Sequence, residues 1–439
     1  MKCYLKLRFL LVFSAAMLSN PRVQAQENPV MDSYNFGTGM RFTDKSGNLL
    51  RISGFLQPFA EKKQLLGDAE ADADTRFRMR RLRLRLEGNS ANDRFSYRLQ
   101  ADLSGTGEEL DGNSNYLLDA FVSYNITSRI QATFGQRATF TDNRELFMNS
   151  NSLQLVERSR LTSAFATIRE FGLFLEGNFR IGGGQYLKPY FVLTNGDGPN
   201  VFGRDRGGVK IGGRIDYLPF GLFTNFGQFN QVDMVRELTP KLVIGSNFSH
   251  NKGMSSRRGR ESGAILYLDN NNQELLPDYS KFGIDFLFKF RGFSMLGEFI
   301  KSSATVPLGI SQRVRVDGST STSFDVNGVQ DIPNYIKGRM MLGEAYNLQL
   351  GYLFRNGISV DGRYTYLNAD QHSFLNNGTF YNRPYYYTLG IAKFLGRNYG
   401  AKIQGDITYV KNNGGINNNA SLAVRGNELI SRVMATFSF

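Results

Sequence analysis

An alternation of apolar and charged residues with a period of two recurs along this chain and restricts its fold more than any other feature. In 94–103 (RFSYRLQADL), Phe95, Tyr97, Leu99, Ala101 and Leu103 take one face; Arg94, Ser96, Arg98, Gln100 and Asp102 take the other. In 281–290 (KFGIDFLFKF), Phe282, Ile284, Phe286, Phe288 and Phe290 oppose Lys281, Gly283, Asp285, Leu287 and Lys289. Tyr346, Leu348, Leu350 and Tyr352 repeat the pattern, as do Tyr399, Ala401, Ile403 and Ile407. Side chains of a strand point alternately to its two faces, so each segment is a strand with one aromatic and one charged side. A soluble sandwich would turn the charges to bulk water. A membrane barrel turns the aromatic side to lipid and the charged side to a wet lumen.

The connections decide between the two. The alternation defines sixteen strands, at 49–60, 75–87, 94–103, 116–126, 129–137, 171–180, 186–194, 209–217, 241–250, 281–290, 292–302, 345–354, 357–367, 385–395, 398–410 and 427–439. Even-numbered strands lead into tight links such as Thr127-Ser128, Arg291, Asn356 and Gly396-Arg397. Odd-numbered strands lead into long polar loops at 104–115, 138–170, 251–280, 303–344, 368–384 and 411–426. Short turns on one rim and long loops on the other define an all-β, antiparallel transmembrane β-barrel, with the short side in the periplasm. The long link 218–240 breaks the rule and is read as a periplasmic excursion rather than two more strands. Composition agrees: 47 Gly, 36 Phe and 21 Tyr against 11 Pro suit strands and tight turns. After the N-terminus no segment offers the roughly twenty apolar residues a membrane helix needs.

The N-terminus reads as an export signal. Lys2, Lys6 and Arg8 precede an apolar stretch, Phe9 to Leu18, that is too short to span a bilayer. Val23-Gln24-Ala25 predicts cleavage after Ala25. Residues 1–25 are then a signal peptide, 26–48 an N-terminal periplasmic segment and 49–439 the barrel, in the bacterial outer membrane. The single cysteine, Cys3, leaves with the signal, and two histidines remain. Thiol chemistry, clustered-His metal sites and cofactors are not expected. His250 follows Ser249, but strand neighbours point to opposite faces and do not form a nucleophile–base pair. The acidic residues Asp68, Glu70, Asp72 and Asp74 follow no metal-loop spacing and read as a solvated loop. The final run Met434-Ala435-Thr436-Phe437-Ser438-Phe439 ends on an aromatic in the alternating phase and is similar to the terminal strand of outer-membrane barrels.

The functional signal lies on the charged side. By parity, about twenty Lys/Arg and about ten Asp/Glu point into the lumen. The densest run is the second strand, TRFRMRRLRLRLE. Arg76, Arg78 and Arg80 keep one phase; Arg81, Arg83 and Arg85 keep the other. A bulge at Arg80-Arg81 restores all six to one wall; without it, half would face lipid at a cost of several kcal/mol. With Arg94, Arg98, Arg129 and Arg137 these arginines form the expected pore-lining, anion-guiding set. Pairing with lumen acids such as Asp102 and Asp119 is the structural alternative. The segment 138–170 holds Phe140, Leu146, Phe147, Leu153, Leu155 and Val156, apolar enough to fold inward and set a constriction. Arg144, Arg158, Arg160 and Arg169 are its candidate cations, and Asp142, Glu145 and Glu157 their expected partners. An extracellular flap is the alternative. Arg257, Arg258 and Arg260 form a basic patch on an outer loop, suited to anions at the mouth or to lipid phosphate. Nucleic-acid binding is not expected, because the arginines lie on strands facing inward.

These residues carry a resemblance. TRFRMRRLRLRLEGNSANDRFSYRLQADLSG, LLDAFVSYNI, FGQRATF, LVERSRLTSAFATIREFGLFLEG and FVLTNGDG, between about 75 and 198, resemble the phosphate-selective porin O and P family. The resemblance implies a sixteen-stranded outer-membrane porin, usually a homotrimer, whose arginine ladder guides phosphate through a constriction. On matching positions it carries over Arg76 to Arg85 and the triplet Glu157, Arg158 and Ser159. The phosphate channels of that family also use lysine clusters, whereas 138–170 contains no lysine. The expected partners are small anions, phosphate among them, and the lipid and lipopolysaccharide of the outer membrane. The alternative is a non-conducting barrel whose long outer loops serve adhesion or a secretion or motility partner.

Overall fold

In a computed structural model, which describes residues 30–66, 73–104, 116–199, 206–376, 383–396, 398–412 and 427–439, the expected strands pair into one antiparallel ring. They are β1 (Leu49–Leu66), β2 (Asp74–Asn89), β3 (Phe95–Asp102), β4 (Leu117–Asn125), β5 (Ile130–Ala138), β6 (Arg169–Gly177), β7 (Gln185–Thr194) and β8 (Lys210–Leu218). The second half is β9 (Lys241–Asn251), β10 (Asp278–Phe290), β11 (Phe293–Thr305), β12 (Gly343–Leu353), β13 (Ile358–Ala369), β14 (Tyr385–Phe394), β15 (Ala401–Lys411) and β16 (Asn427–Ser438). Each strand pairs with its successor, and β16 returns to β1 from Asn427↔Leu66 to Ser438↔Phe55, closing a sixteen-stranded barrel. Closure leaves no sheet edge to be satisfied by hydrocarbon.

β1 runs six residues beyond its expected end because Glu61-Lys62-Lys63-Gln64 hides the alternation behind four polar residues. Residues 26–48 were expected as a plain periplasmic segment. There, Val30–Asn35 and Gly39–Thr43 form a hairpin whose second strand pairs antiparallel with the start of β1, from Met40↔Ile52 to Thr43↔Leu49. The signal region and the acids at 68, 70 and 72 lie outside the described residues.

The outward face carries two aromatic belts of the kind that mark membrane interfaces. On the loop side, Phe299, Tyr346, Tyr366 and Tyr385 run strand to strand with ring centroids 5.0, 6.2 and 5.1 Å apart. On the turn side, Phe288 meets Phe293 at 6.2 Å, and Tyr352 meets Phe354 at 4.8 Å.

The interior is filled by chain rather than by strand side chains alone. Segment 139–168 leaves β5, crosses the lumen and returns to β6; Leu153, Leu155, Val156, Leu161 and Phe165 are all buried. The link 219–240 forms no strand, as expected, but it does not hang below the barrel. It folds up into the lumen: Phe229 O accepts from Asn149 N at 3.1 Å, and Gln231 Oε1 accepts from Gln154 N at 2.8 Å. Lys289 of β10 anchors it by donating to Gly227 O and Val232 O, each at 2.8 Å. Above the opposite rim the loops 252–277 and 306–342 fold together around Met254, Ile265, Tyr267, Leu276, Phe324, Ile336 and Met340. Short strand pairs and helix α2 (Ile332–Lys337) complete this outer cap; α1 (Arg160–Phe165) lies within the inward segment.

Candidate functional site

The site is one wall, β2, facing the inward segment. On β2 the register steps from Gln57↔Arg81 to Pro58↔Met79, so Arg80 is the extra residue of a bulge. Pro58 has no N–H to give the ladder, so the irregularity costs no hydrogen bond there. Phe77 is 80 % exposed towards lipid while Arg80 and Arg81 are fully buried, and all six arginines share the lumen side.

Most of this wall is neutralised by carboxylates. Arg76 donates to Glu61 through Nε at 2.8 Å. Arg80 and Arg81 both donate to Glu157 of the inward segment, the second at 3.3 Å. Arg83 donates to Asp102 at 3.0 Å and to Ser150 Oγ at 3.0 Å. Arg85 donates to the Gln100 amide oxygen at 2.6 Å. Arg78 differs. Its guanidinium lies 5.1 Å from the Phe59 ring centroid, and its Nε and one terminal nitrogen are buried without an acceptor. Arg76 and Arg80 flank it, and among the described residues no oxygen accepts a hydrogen bond from those two nitrogens.

Below this wall, Arg98 pairs with Glu87 and lies 5.6 Å from the Phe121 ring. Arg137 pairs with Glu176 and packs 4.5 Å from Phe140. Arg94 and Arg129 do not line the pore as expected. β3 and β5 begin one residue later, at Phe95 and Ile130, which leaves both arginines exposed in periplasmic turns.

Arg144 and Arg169 pair with acids of the wall, and Arg158 donates to carbonyls of the inward segment itself. Arg144 donates to Asp285 and Asp216, each at 2.7 Å, and Arg214 of β8 bridges the same two aspartates at 2.5 and 2.7 Å. Asp142 pairs with Lys281 of β10, and Glu145 with Arg363 of β13 at 3.5 Å. Arg158 donates to the carbonyls of Glu145 and Met148, the latter at 2.9 Å. Ser159 caps α1 by accepting from Thr162 N at 3.2 Å. Arg169 reaches Asp119 of β4 at 2.8 Å. Arg160 remains partly open, near the Tyr386 ring. The patch Arg257, Arg258 and Arg260 is half-buried. Arg258 and Arg260 donate to Ser163 O and Ala166 O, at 2.8 and 2.7 Å, around the C-terminal end of α1. Arg257 stacks 4.0 Å from the Phe374 centroid. The outer loop is thereby latched to the inward one.

Four lumen-facing glycines were not singled out from the sequence. A Cβ on Gly212 would meet Thr141 at 2.7 Å, on Gly245 Arg214 and Arg144 at 2.0 and 2.6 Å, on Gly351 Gln154 at 2.0 Å, and on Gly390 Leu155 at 2.4 Å. Each stands where the inward segment touches the wall. A glycine in the inward phase of an otherwise regular strand marks such close approach. His250 pairs across strands rather than along one: Nδ1 is 3.0 Å from Ser280 Oγ, and Asp278 is 3.8 Å away. These three side chains stand on the neighbouring strands β9 and β10 near the loop rim.

A closed sixteen-stranded ring with a long segment packed against a charged wall is the architecture of an outer-membrane porin. Residues 59–195, which hold that wall and that segment, match the family described as phosphate-selective porin O and P. Among solved structures, a loop-deletion mutant of OmpT from Vibrio cholerae is similar at 9% identity and a TM-score of 0.50, covering 89% of this chain and 99% of that one. OmpF of Salmonella typhi, solved with daunomycin, is similar at 12% identity and a TM-score of 0.51, covering 90% and 98%. Identities so low speak for a shared fold. No curated protein matches the chain.

Proposed function

We propose that this barrel conducts small anions across the outer membrane, phosphate among them, along the arginine wall of β2. The observation that carries the reading is Arg78, a guanidinium with two buried nitrogens left without an acceptor. Donor nitrogens buried without an acceptor are costly, and an anion that offers them charge-assisted hydrogen bonds removes that cost. On the loop side, Arg76 and Lys63 are about a third exposed, their side chains at 35% and 33%. On the turn side Arg51, Arg98 and Arg137 remain partly open. Between these two open ends of the wall Arg80, Arg81 and Arg83 are buried. Phosphate is favoured by the planar donor column and by the family match over this wall. A trimer follows from the same family reading.

Single-channel recording in planar bilayers under a salt gradient tests this. Arg78→Gln is expected to move the reversal potential towards zero while the barrel stays folded. An unchanged potential would remove Arg78 from the path. Titrating phosphate into chloride is expected to lower the current if phosphate dwells at this wall. The second reading, a silent barrel with partner-binding loops, is favoured by the outer cap, whose core is its own and which exposes Leu308 and Val316. A wild-type barrel that passes no current would leave that reading standing.

A further inference from the structure

The lipid-facing wall is not uniformly filled. Where β14, β15, β16 and β1 meet, small residues leave a trough of about 590 Å³, bounded by Leu389, Ile391, Ile407, Val433 and Ala60. Register shows its course. Leu389 pairs with Ile407, Ile407 with Ser431, and Ser431 with Lys62. The row climbs as it crosses the tilted strands. Leu389 is five residues from the periplasmic end of β14 at Phe394, or roughly 13 Å above the turn side at about 3.3 Å per residue and about 40° of tilt. Three steps of about 4.8 Å between tilted strands lift the row by roughly 9 Å, which brings Lys62 to about the height of Tyr385 in the loop-side aromatic belt. It therefore begins within the apolar band and opens at the outer interface. There Lys62 is exposed and takes part in no hydrogen bond or ion pair among the described residues.

An apolar channel that ends in one free ammonium at the interface has the polarity of a phosphorylated acyl lipid: chain below, phosphate above. We infer that this trough binds a lipid of the outer leaflet, with one acyl chain along Leu389, Ile407 and Val433 and its phosphate on Lys62. A twofold contact between copies would bury Lys62 against an identical cation, and in any contact the exposed ammonium needs an anion, which a lipid phosphate supplies. The inference rests on the barrel's place in the outer membrane and not on what passes through its lumen.

The test is lipid retention by the full-length mature barrel in detergent, read by native mass spectrometry with bis-phosphorylated lipid A and its dephosphorylated form. Wild type is expected to retain the phosphorylated form about tenfold better. Lys62→Ala is expected to abolish that preference, and Ser431→Leu, which fills the trough, to lose both forms. Inorganic phosphate alone is expected not to displace the lipid. Heat-modifiable migration on gels checks folding of each variant, and unchanged single-channel current keeps the result separate from anion passage. Equal retention of the two forms by wild type, or retention unaffected by both variants, overturns the inference. So does protection of Leu389→Cys from a thiol reagent in the delipidated, assembled barrel, which would assign the trough to a subunit contact.

Discussion

Glu157 is the residue on which the inward segment and the arginine wall depend together. Its two oxygens receive Arg80 and Arg81, both fully buried, so its charge offsets the desolvation of two guanidinium groups. Removing one member of such a buried set leaves an uncompensated charge, at a cost of about 3–5 kcal/mol. Glu157→Gln is expected to lower the temperature of the gel-mobility shift of the folded barrel and to raise open-channel noise. Arg81→Gln, which leaves Arg80 to hold Glu157, is expected to be milder. At this level the sequence was legible in part. The bulge could be placed from two runs of arginine with opposite phase, because charge does not face lipid. Partner choice could not be, because Arg144 meets Asp285 141 residues away, and no spacing rule reaches that far.

The strands were legible because period-two alternation is the direct imprint of a wall between lipid and water. Segments folded inside or above the wall leave no such imprint. Both faces of 139–168 are buried, so its apolar residues show no periodicity. The trace it leaves lies on its neighbours, in Gly212, Gly245, Gly351 and Gly390. Gly245→Val is expected to expel Arg144 from between Asp216 and Asp285 and to unseat the segment. Protease cleavage within 139–168 of the folded barrel reads this directly; full protection would contradict it. In the outer cap, Asp331 caps α2, and the Asn334 backbone N–H, then its side-chain amide, hold that carboxyl below the ordinary aspartate value of 3.8. A lowered folded-state pKa contributes stability that is present above the unfolded value and lost as pH falls through the folded one. Protease sensitivity of 306–342 is accordingly expected to stay flat down to about pH 4 and to rise below it. Asp331→Ala should be sensitive at every pH.

For the whole molecule, the main departure from expectation is the content of the cylinder. Read as a periplasmic excursion, 219–240 would leave conduction to the inward segment alone. In its observed place it supports that segment from below through Asn149 and Gln154. Deleting 221–236 is expected to raise single-channel conductance and to weaken ion preference, since the segment then loses its floor; an unchanged conductance would place the narrowest point elsewhere. Closure also has a bearing on the order of assembly. The tip of the inward segment is tied to strands that follow it by about 250 residues: Lys402 Nζ donates to Leu153 O at 2.6 Å, and Val156 N donates to Asp406 at 2.8 Å. Those anchors stand on β15, next to the seam where β16 joins β1. The plug therefore cannot be fastened before the hoop is nearly shut, and an intermediate stalled short of its last two staves would be a leaky gutter, open along its whole length.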